Sequence, residues 1–191
     1  VPDAPNPPNA QPANAPEWLA ESSLTDGSVV RFRHVRPADE PRIAAAINSS
    51  SRETLLHRFF SPIRSVAPDQ LRRMLEFDST REVCIVGVTG GEATQRIICG
   101  ARYVKLPKPD VAEIALTVHD DFQRRGLGSF LLRLLARLAQ AENLKWFEAE
   151  VLSSNDKMLQ LLRKLAPGQA RGHWTGEIYH MEVPVRILGA D

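Results

Sequence analysis

Two cysteines in 191 residues are too few for a disulfide framework, and both, Cys84 and Cys99, sit in apolar runs. They read as buried free thiols, which suits a reducing compartment. Neither sign of charge is in excess: 24 Lys and Arg stand against 23 Asp and Glu, so charge makes no case for a nucleic-acid partner. No apolar run is long enough to span a membrane. The first residues lack the basic-then-apolar form of a secretory signal. A cytoplasmic soluble enzyme is the default expectation. The Gly-x-Ser-x-Gly elbow is missing, and neither cysteine has a catalytic setting. His119-Asp120-Asp121 is the nearest approach to a metal or acid–base cluster. No further ligand lies at a suitable spacing, and His34, His57, His173 and His180 are scattered. The triplet reads as a solvated bend, and no metal is expected.

What is present suffices for one folded domain. The hydrophobic fraction is 43%, at a length ordinary for a single domain. Residues 1–16 are rich in Pro, Asn and Ala and hold almost no large apolar side chain. Such a stretch buries too little surface to offset its ordering entropy. Residues 1–20 are therefore expected to form a disordered tail or linker, with Trp18 and Leu19 the first side chains to dock. Residues 21–187 are the expected domain.

Within it, Asp26-Gly27 marks a turn and Val29–Val35 alternates as a first strand. Pro37, Asp39 and Glu40 open a helix with Ile43, Ala46 and Ile47 inward. Ser51–Phe60 and Ala67–Phe77 read as two more helices, the second with Leu71, Met74 and Leu75 at helical spacing. Val83–Val88 and Arg96–Val104 form a hairpin about Gly90-Gly91. The loop Leu106–Asp110 leads to a strand carrying Glu113 and the run Ile114–Val118. Phe130 to about Ala141 is amphipathic, with Leu131, Leu134, Leu135 and Leu138 on one stripe. If that helix is a crossover, strand Lys145–Leu152 lies parallel to Glu113–Val118. Asn155 or Asp156 caps a helix with Met158, Leu161, Leu162 and Leu165 inward. Ala170–Trp174 and Glu177–Val185 close as a hairpin. The element order is that of an α/β (α+β) chain.

The rest is organised around Val118–Ser129, where strand passes to helix through Gln123-Arg124-Arg125-Gly126-Leu127-Gly128. Free N–H groups and the dipole at a helix start favour an anion. Gly126 and Gly128 would let backbone approach a pyrophosphate, and Arg124 and Arg125 would add charge. A dinucleotide fingerprint needs a third glycine where Leu131 stands, and a P-loop needs Gly-Lys-Ser/Thr where Gly128 is followed by Ser129-Phe130. A glycine pair before a helix is also often only a turn.

The hexamer resembles the Q/R-x-x-G-x-G/A loop of the GNAT superfamily of N-acetyltransferases, and the element order from Leu24 to Val185 matches that family's mixed central sheet flanked by helices. The stretches Leu24–Ser28, Arg33–Glu40, Arg58-Phe59-Phe60, Ala112–Ala115 and Asn155–Met158 resemble the acetyltransferase domain of bacterial Pat-type protein-lysine acetyltransferases. The resemblance implies acetyl-CoA as cosubstrate and transfer of acetyl to an amine. It implies a pyrophosphate loop at Gln123, Arg124, Arg125, Gly126, Leu127, Gly128 and Ser129. It also implies a pantetheine arm along the backbone of Leu116, Thr117 and Val118, and a contact from Asn155, which can equally be a plain helix cap. Glu113 is the implied general base; read by itself it is a solvated or arginine-paired strand carboxylate. Tyr179 would be a leaving-group acid as in some family members, although its place in the last strand suits packing. Pat-type domains are often fused to a regulatory or synthetase-like domain, for which a prolyl linker would be suitable.

The implied acceptor is a protein lysine, such as one on an acyl-CoA synthetase. A small amine, or a CoA-binding sensor without turnover, are the competing readings. No oligomeric state follows. One departure stands out: Leu165 is followed by Ala166-Pro167-Gly168-Gln169 where the family usually has Gly-Phe. The resemblance therefore informs the donor side more than the acceptor side.

Overall fold

The computed structural model describes residues 17–63, 65–75, 78–91 and 94–189. The expected tail at 1–16 and the last turn of the helix expected over Ala67–Phe77 lie outside them. Eight strands form one sheet: β1 (Ala20–Ser23), β2 (Val29–His34), β3 (Glu82–Thr89), β4 (Arg96–Lys105), β5 (Val111–Val118), β6 (Trp146–Leu152), β7 (Arg171–Thr175) and β8 (Ile178–Pro184). Their spatial order is β1-β2-β3-β4-β5-β6-β8-β7. Only β5 and β6 are parallel, joined by helix α4 (Leu127–Ala141).

The sequence did not signal β1. Its residues, Ala-Glu-Ser-Ser, carry no apolar alternation, and pairing with β2 decides their conformation. Leu19 packs against the core, and Trp18 stays exposed beside Arg31. The last element among the described residues is a short helix that runs to Leu188, a fully buried residue one place beyond the expected edge.

Side-chain alternation gives the sheet two unlike faces. On one, Ala112 and Ile114 of β5 and Phe147, Ala149 and Val151 of β6 meet Leu131, Leu132, Leu134 and Leu135 of α4, all nearly or fully buried. Helix α5 (Asp156–Leu165) joins this core through Leu159 and Leu162. On the other face lie α1 (Glu40–Ser49), α2 (Arg52–Phe59) and α3 (Pro68–Leu75). That face has only a small apolar cluster, Val35, Val86, Val88 and Ile97, flanked by the half-buried Ile43 and Leu75. The three residues expected inward on α1 do turn toward the sheet, but α1 buries none of its side chains fully.

Polar contacts fix these helices. Arg33 and Asp39, 3% and 1% exposed, form a bidentate pair at 2.6 and 2.8 Å, and Asp39 also accepts from Arg36 N. Burial alone would push the Asp39 carboxyl up; the Arg33 guanidinium and the Arg36 N–H outweigh it and hold the carboxyl below its usual value. The His119-Asp120-Asp121 triplet is not the solvated bend expected. His119 is 6% exposed and bonds Ser49 Oγ through Nε2. Asp120 accepts from Ser51 N, Ser51 Oγ and Thr54 Oγ1, which anchors the start of α2 to the end of β5.

Candidate active site

β5 and β6 pair only through Val111–Trp146, Ala112–Phe147 and Glu113–Glu148. Beyond Glu113 the two strands part, while β5 stays paired with β4 as far as Val118. The backbone pattern fixes what the gap receives. His119 N donates to Ile98 O and Leu106 N donates to Val111 O, so the odd-numbered residues of β5 turn their backbone groups toward β4. Alternation turns those of Leu116 and Val118 into the gap. A strand edge inside a sheet is thus exposed to a ligand, and buried backbone groups require partners.

The gap opens into a cleft of about 800 Å³, within the range of ligand sites. Of the predicted residues, Glu113, Leu116, Thr117, Val118, Gln123, Arg124, Gly126, Gly128, Ser129 and Asn155 line it. Glu113 is exposed on β5, on the side of the strand that faces α2. Asn155 Oδ1 accepts from Met158 N and so caps α5, while the residue also borders the cleft.

The loop works through its backbone. α4 begins at Leu127, three residues earlier than the apolar stripe suggested, with Gly126 as N-cap at φ +86°. Phe130 N donates to Gly126 O, so the N–H groups of Leu127, Gly128 and Ser129 have no acceptor within the helix. The space above Gly126 is open to 4 Å, whereas a Cβ on Gly128 would meet Leu161 Cδ2 at 3.0 Å. Gly126 thus serves the loop, and Gly128 also serves the close packing of α4 on α5.

Three of the predicted loop residues have other contacts for their side chains. Arg125 does not enter the cleft: it pairs with Asp26 of the β1–β2 turn at 2.6 Å and lies over Phe122. The Leu127 side chain is core, 2% exposed, so only its N–H serves the loop. Gln123 is a tie: Nε2 donates to Val118 O and Thr54 Oγ1, and Oε1 accepts from Lys157 Nζ. Arg124, exposed at φ +60°, remains the loop's cation at the cleft.

Residues that the motif did not point to complete the walls. α2 contributes Thr54, His57, Arg58 and Phe59, followed by Phe60; α5 contributes Lys157. Lys157 also bridges to Glu53 at 3.2 Å, and His57 meets Ser154 at 3.1 Å. Burial pushes the half-buried Arg58 guanidinium below its usual value; Cys84 and Glu113 oppose the shift and Arg102 adds to it. Arg58-Phe59-Phe60 and Lys157 fall in stretches that carried the family resemblance, but no spacing in the sequence places α2 over β5. Tyr179 does not line the cleft. Its ring packs at a tilt against Trp174, centroids 4.8 Å apart, in the β7–β8 hairpin.

Comparison with known proteins agrees with this geometry. The model of the acetyltransferase (GNAT) family matches residues 51–166. The chain is 27% identical over 144 residues to an acetyltransferase of Pseudomonas aeruginosa, covering 75% of this chain and 76% of that one. It is 34% identical over 135 residues to the acetyltransferase Pat of Mycolicibacterium smegmatis, covering 70% of this chain but only 40% of Pat. Among solved structures, the GNAT domain of S. lividans PAT superposes with a TM-score of 0.76 at 26% identity, over 92% of this chain and 99% of that one. With more than half of its length matched to the family model and a splayed strand pair opening onto a glycine loop, the chain belongs to the GNAT family of acetyl-CoA-dependent N-acetyltransferases.

Proposed function

We propose that the protein transfers an acetyl group from acetyl-CoA to the side-chain amine of a protein lysine, with Glu113 as general base. The observation that carries this is the placement of an exposed carboxylate on the same strand, and in the same cleft, as the two inward-turned amides of Leu116 and Val118. Those amides suit the carbonyls of a pantetheine arm. The first N–H groups of α4, with Arg124 beside them, suit a pyrophosphate.

The thioester brings an activated acetyl group, so no covalent enzyme intermediate is required. The residues must orient the amine and take its proton. A lysine ammonium with a pKa near ~10.4 is neutral in roughly one molecule in 2,500 at pH 7, a cost of about 4.6 kcal/mol. Glu113, directly or through one water, receives the proton as the amine attacks. The Pat relatives support a lysine acceptor, and so does the exposure of Glu113, which a long side chain from another protein can reach. A small cationic amine is the second reading, supported by the carboxylates of Glu53, Glu113 and Glu150 along the cleft.

Free-thiol release from acetyl-CoA, measured against a panel of proteins and small amines, tests the acceptor. Turnover with spermidine-like amines and none with any protein would overturn the lysine reading. Glu113→Gln tests the base: turnover is expected to fall about 10²-fold or more with CoA affinity unchanged. Near-normal turnover at saturating substrate would remove Glu113 from the role.

A further inference from the structure

Behind the cleft lies a second volume. A cavity of about 140 Å³ separates the sheet from α1, α2 and α3. It shares Arg58, Phe59, Ala115 and Thr117 with the cleft, so the two adjoin beside the Leu116 amide. Ile43 and Ile47 of α1, Leu71 and Leu75 of α3, and Leu55 of α2 form its far walls. Protein interiors seldom keep voids larger than a water molecule. An apolar void of about 150 Å³ stays dry and admits a guest the size of benzene. The pocket is only partly enclosed and mainly apolar: the short residues Ala46, Cys84, Gly100 and Ala115 leave the space, and Ser50, Arg58, Arg102 and His119 also border it. Two buried polar atoms of the lining residues have no hydrogen-bond partner: Arg102 Nε, on a guanidinium that pairs with Glu82, and Thr117 Oγ1, the one on the wall shared with the cleft. A buried hydroxyl in that state calls for a ligand atom.

We propose that this cavity receives the acyl chain of the donor, and that the site, besides acetyl-CoA, binds CoA thioesters of aliphatic acyl groups of four or five carbons, straight or branched, more tightly than acetyl-CoA. The inference rests on the donor-site reading above. Leu116 and Val118 turn their amides into the gap between β5 and β6, while Ala115 and Thr117 send their side chains to the cavity face of the same strand. A thioester lying along those amides presents its carbonyl near Thr117 Oγ1 and its carbon chain to the opening between Ala115 and Phe59. The reaction is otherwise unchanged: the acyl carbon–sulfur bond breaks, a carbon–nitrogen bond forms, the amine proton passes to Glu113, and CoA leaves as its thiol. The volume sets an upper limit as well, because a chain of ten carbons exceeds a benzene-sized guest. Burial of each methylene favours binding about fourfold, so butyryl should gain roughly 15-fold over acetyl.

Titration calorimetry with CoA and with acetyl-, butyryl-, isovaleryl-, decanoyl- and succinyl-CoA tests this on the whole chain. The expected result is roughly 10- to 15-fold tighter binding of butyryl- than acetyl-CoA, with decanoyl-CoA falling back. Ala46→Phe, which fills the cavity from α1, should abolish the gain and leave CoA itself bound as before. Ile47→Phe serves the same purpose should the first variant fail to fold. Equal affinity for acetyl- and butyryl-CoA, with CoA still bound, would overturn the proposal and leave the donor site standing. Failure of CoA itself to bind would overturn the donor-site reading and this inference with it. Preference for succinyl-CoA would assign the cavity to a carboxylate facing Arg58, and would likewise overturn it.

Discussion

The backbone origin of the pyrophosphate loop can be tested with a pair of alanines. Gly126 has φ +86° and Gly176, in the β7–β8 turn, has φ +59°; neither has an atom within 4 Å of where a Cβ would stand. Gly126→Ala and Gly176→Ala therefore introduce left-handed strain and no clash. Each should cost about 1–2 kcal/mol of stability. For a chain of this size that is a Tm loss of about 2–8 °C, readable by calorimetry or circular dichroism. Of these two glycines, Gly126 lines the cleft and Gly176 does not. Its methyl would lift a pyrophosphate from the N–H groups of Leu127, Gly128 and Ser129. A charge-assisted hydrogen bond is worth about 1.5–3 kcal/mol, so losing one weakens CoA binding roughly 10- to 150-fold. The two variants should thus match in thermal stability and differ in titration with CoA. If Gly126→Ala binds CoA as tightly as Gly176→Ala does, the loop does not hold the pyrophosphate.

Two further predictions concern stability and the assay. Arg33→Met removes the bidentate partner of buried Asp39 and leaves it only the half-exposed Arg42 at 3.8 Å, which should cost about 3–5 kcal/mol, measured by urea unfolding at pH 7. The Asp39 carboxyl is depressed in the fold, so the pair's contribution is complete above the unfolded value of 3.8 and is lost as pH falls through the lower folded value. The deficit of the variant should accordingly shrink in acid, and a deficit that persists unchanged below that range would show that lost packing, not the ion pair, is responsible. Burial pushes the thiol of Cys84 up to about 11, against the pull of Arg102 and Arg58, and that of Cys99 up to about 12. Neither should react with an aromatic disulfide reagent at pH 8 in the native protein, and both should react in denaturant. Thiol release by the enzyme can then be read without background; prompt reaction of the native protein would contradict the burial.

The backbone elements that frame the candidate donor site were legible in the sequence. Strand, glycine loop and helix are read from apolar periodicity and two glycines, and the parallel crossover follows from chain order. The side chains of the same motif were less legible, because a letter does not state its direction. Arg125 looked like a phosphate ligand, yet Asp26, 99 residues away in sequence, holds it. Gln123 looked like part of the loop's binding surface, yet it ties β5, α2 and α5 together. β1 could not be read because four small or polar residues owe their conformation to β2. The α2 wall was legible only as a family resemblance, since its position depends on Asp120, whose three partners lie 66 and 69 residues earlier.

The polar ties explain why the two faces of the sheet differ. Leucines at helical spacing let α4 bury seven residues, so packing alone fixes its place. α1 buries none fully. It is pinned at its start by Arg33–Asp39 and at its end by Ser49–His119, and the next helix is pinned by Asp120. A helix held at its ends need not press its middle onto the sheet. The space beneath α1 is then free to differ in size without loss of the fold, and Ala46, at mid-helix, can set that size. On the proposed reading, donor binding by backbone would stay fixed on the packed side, while the chain length accepted would vary with single substitutions on the pinned side.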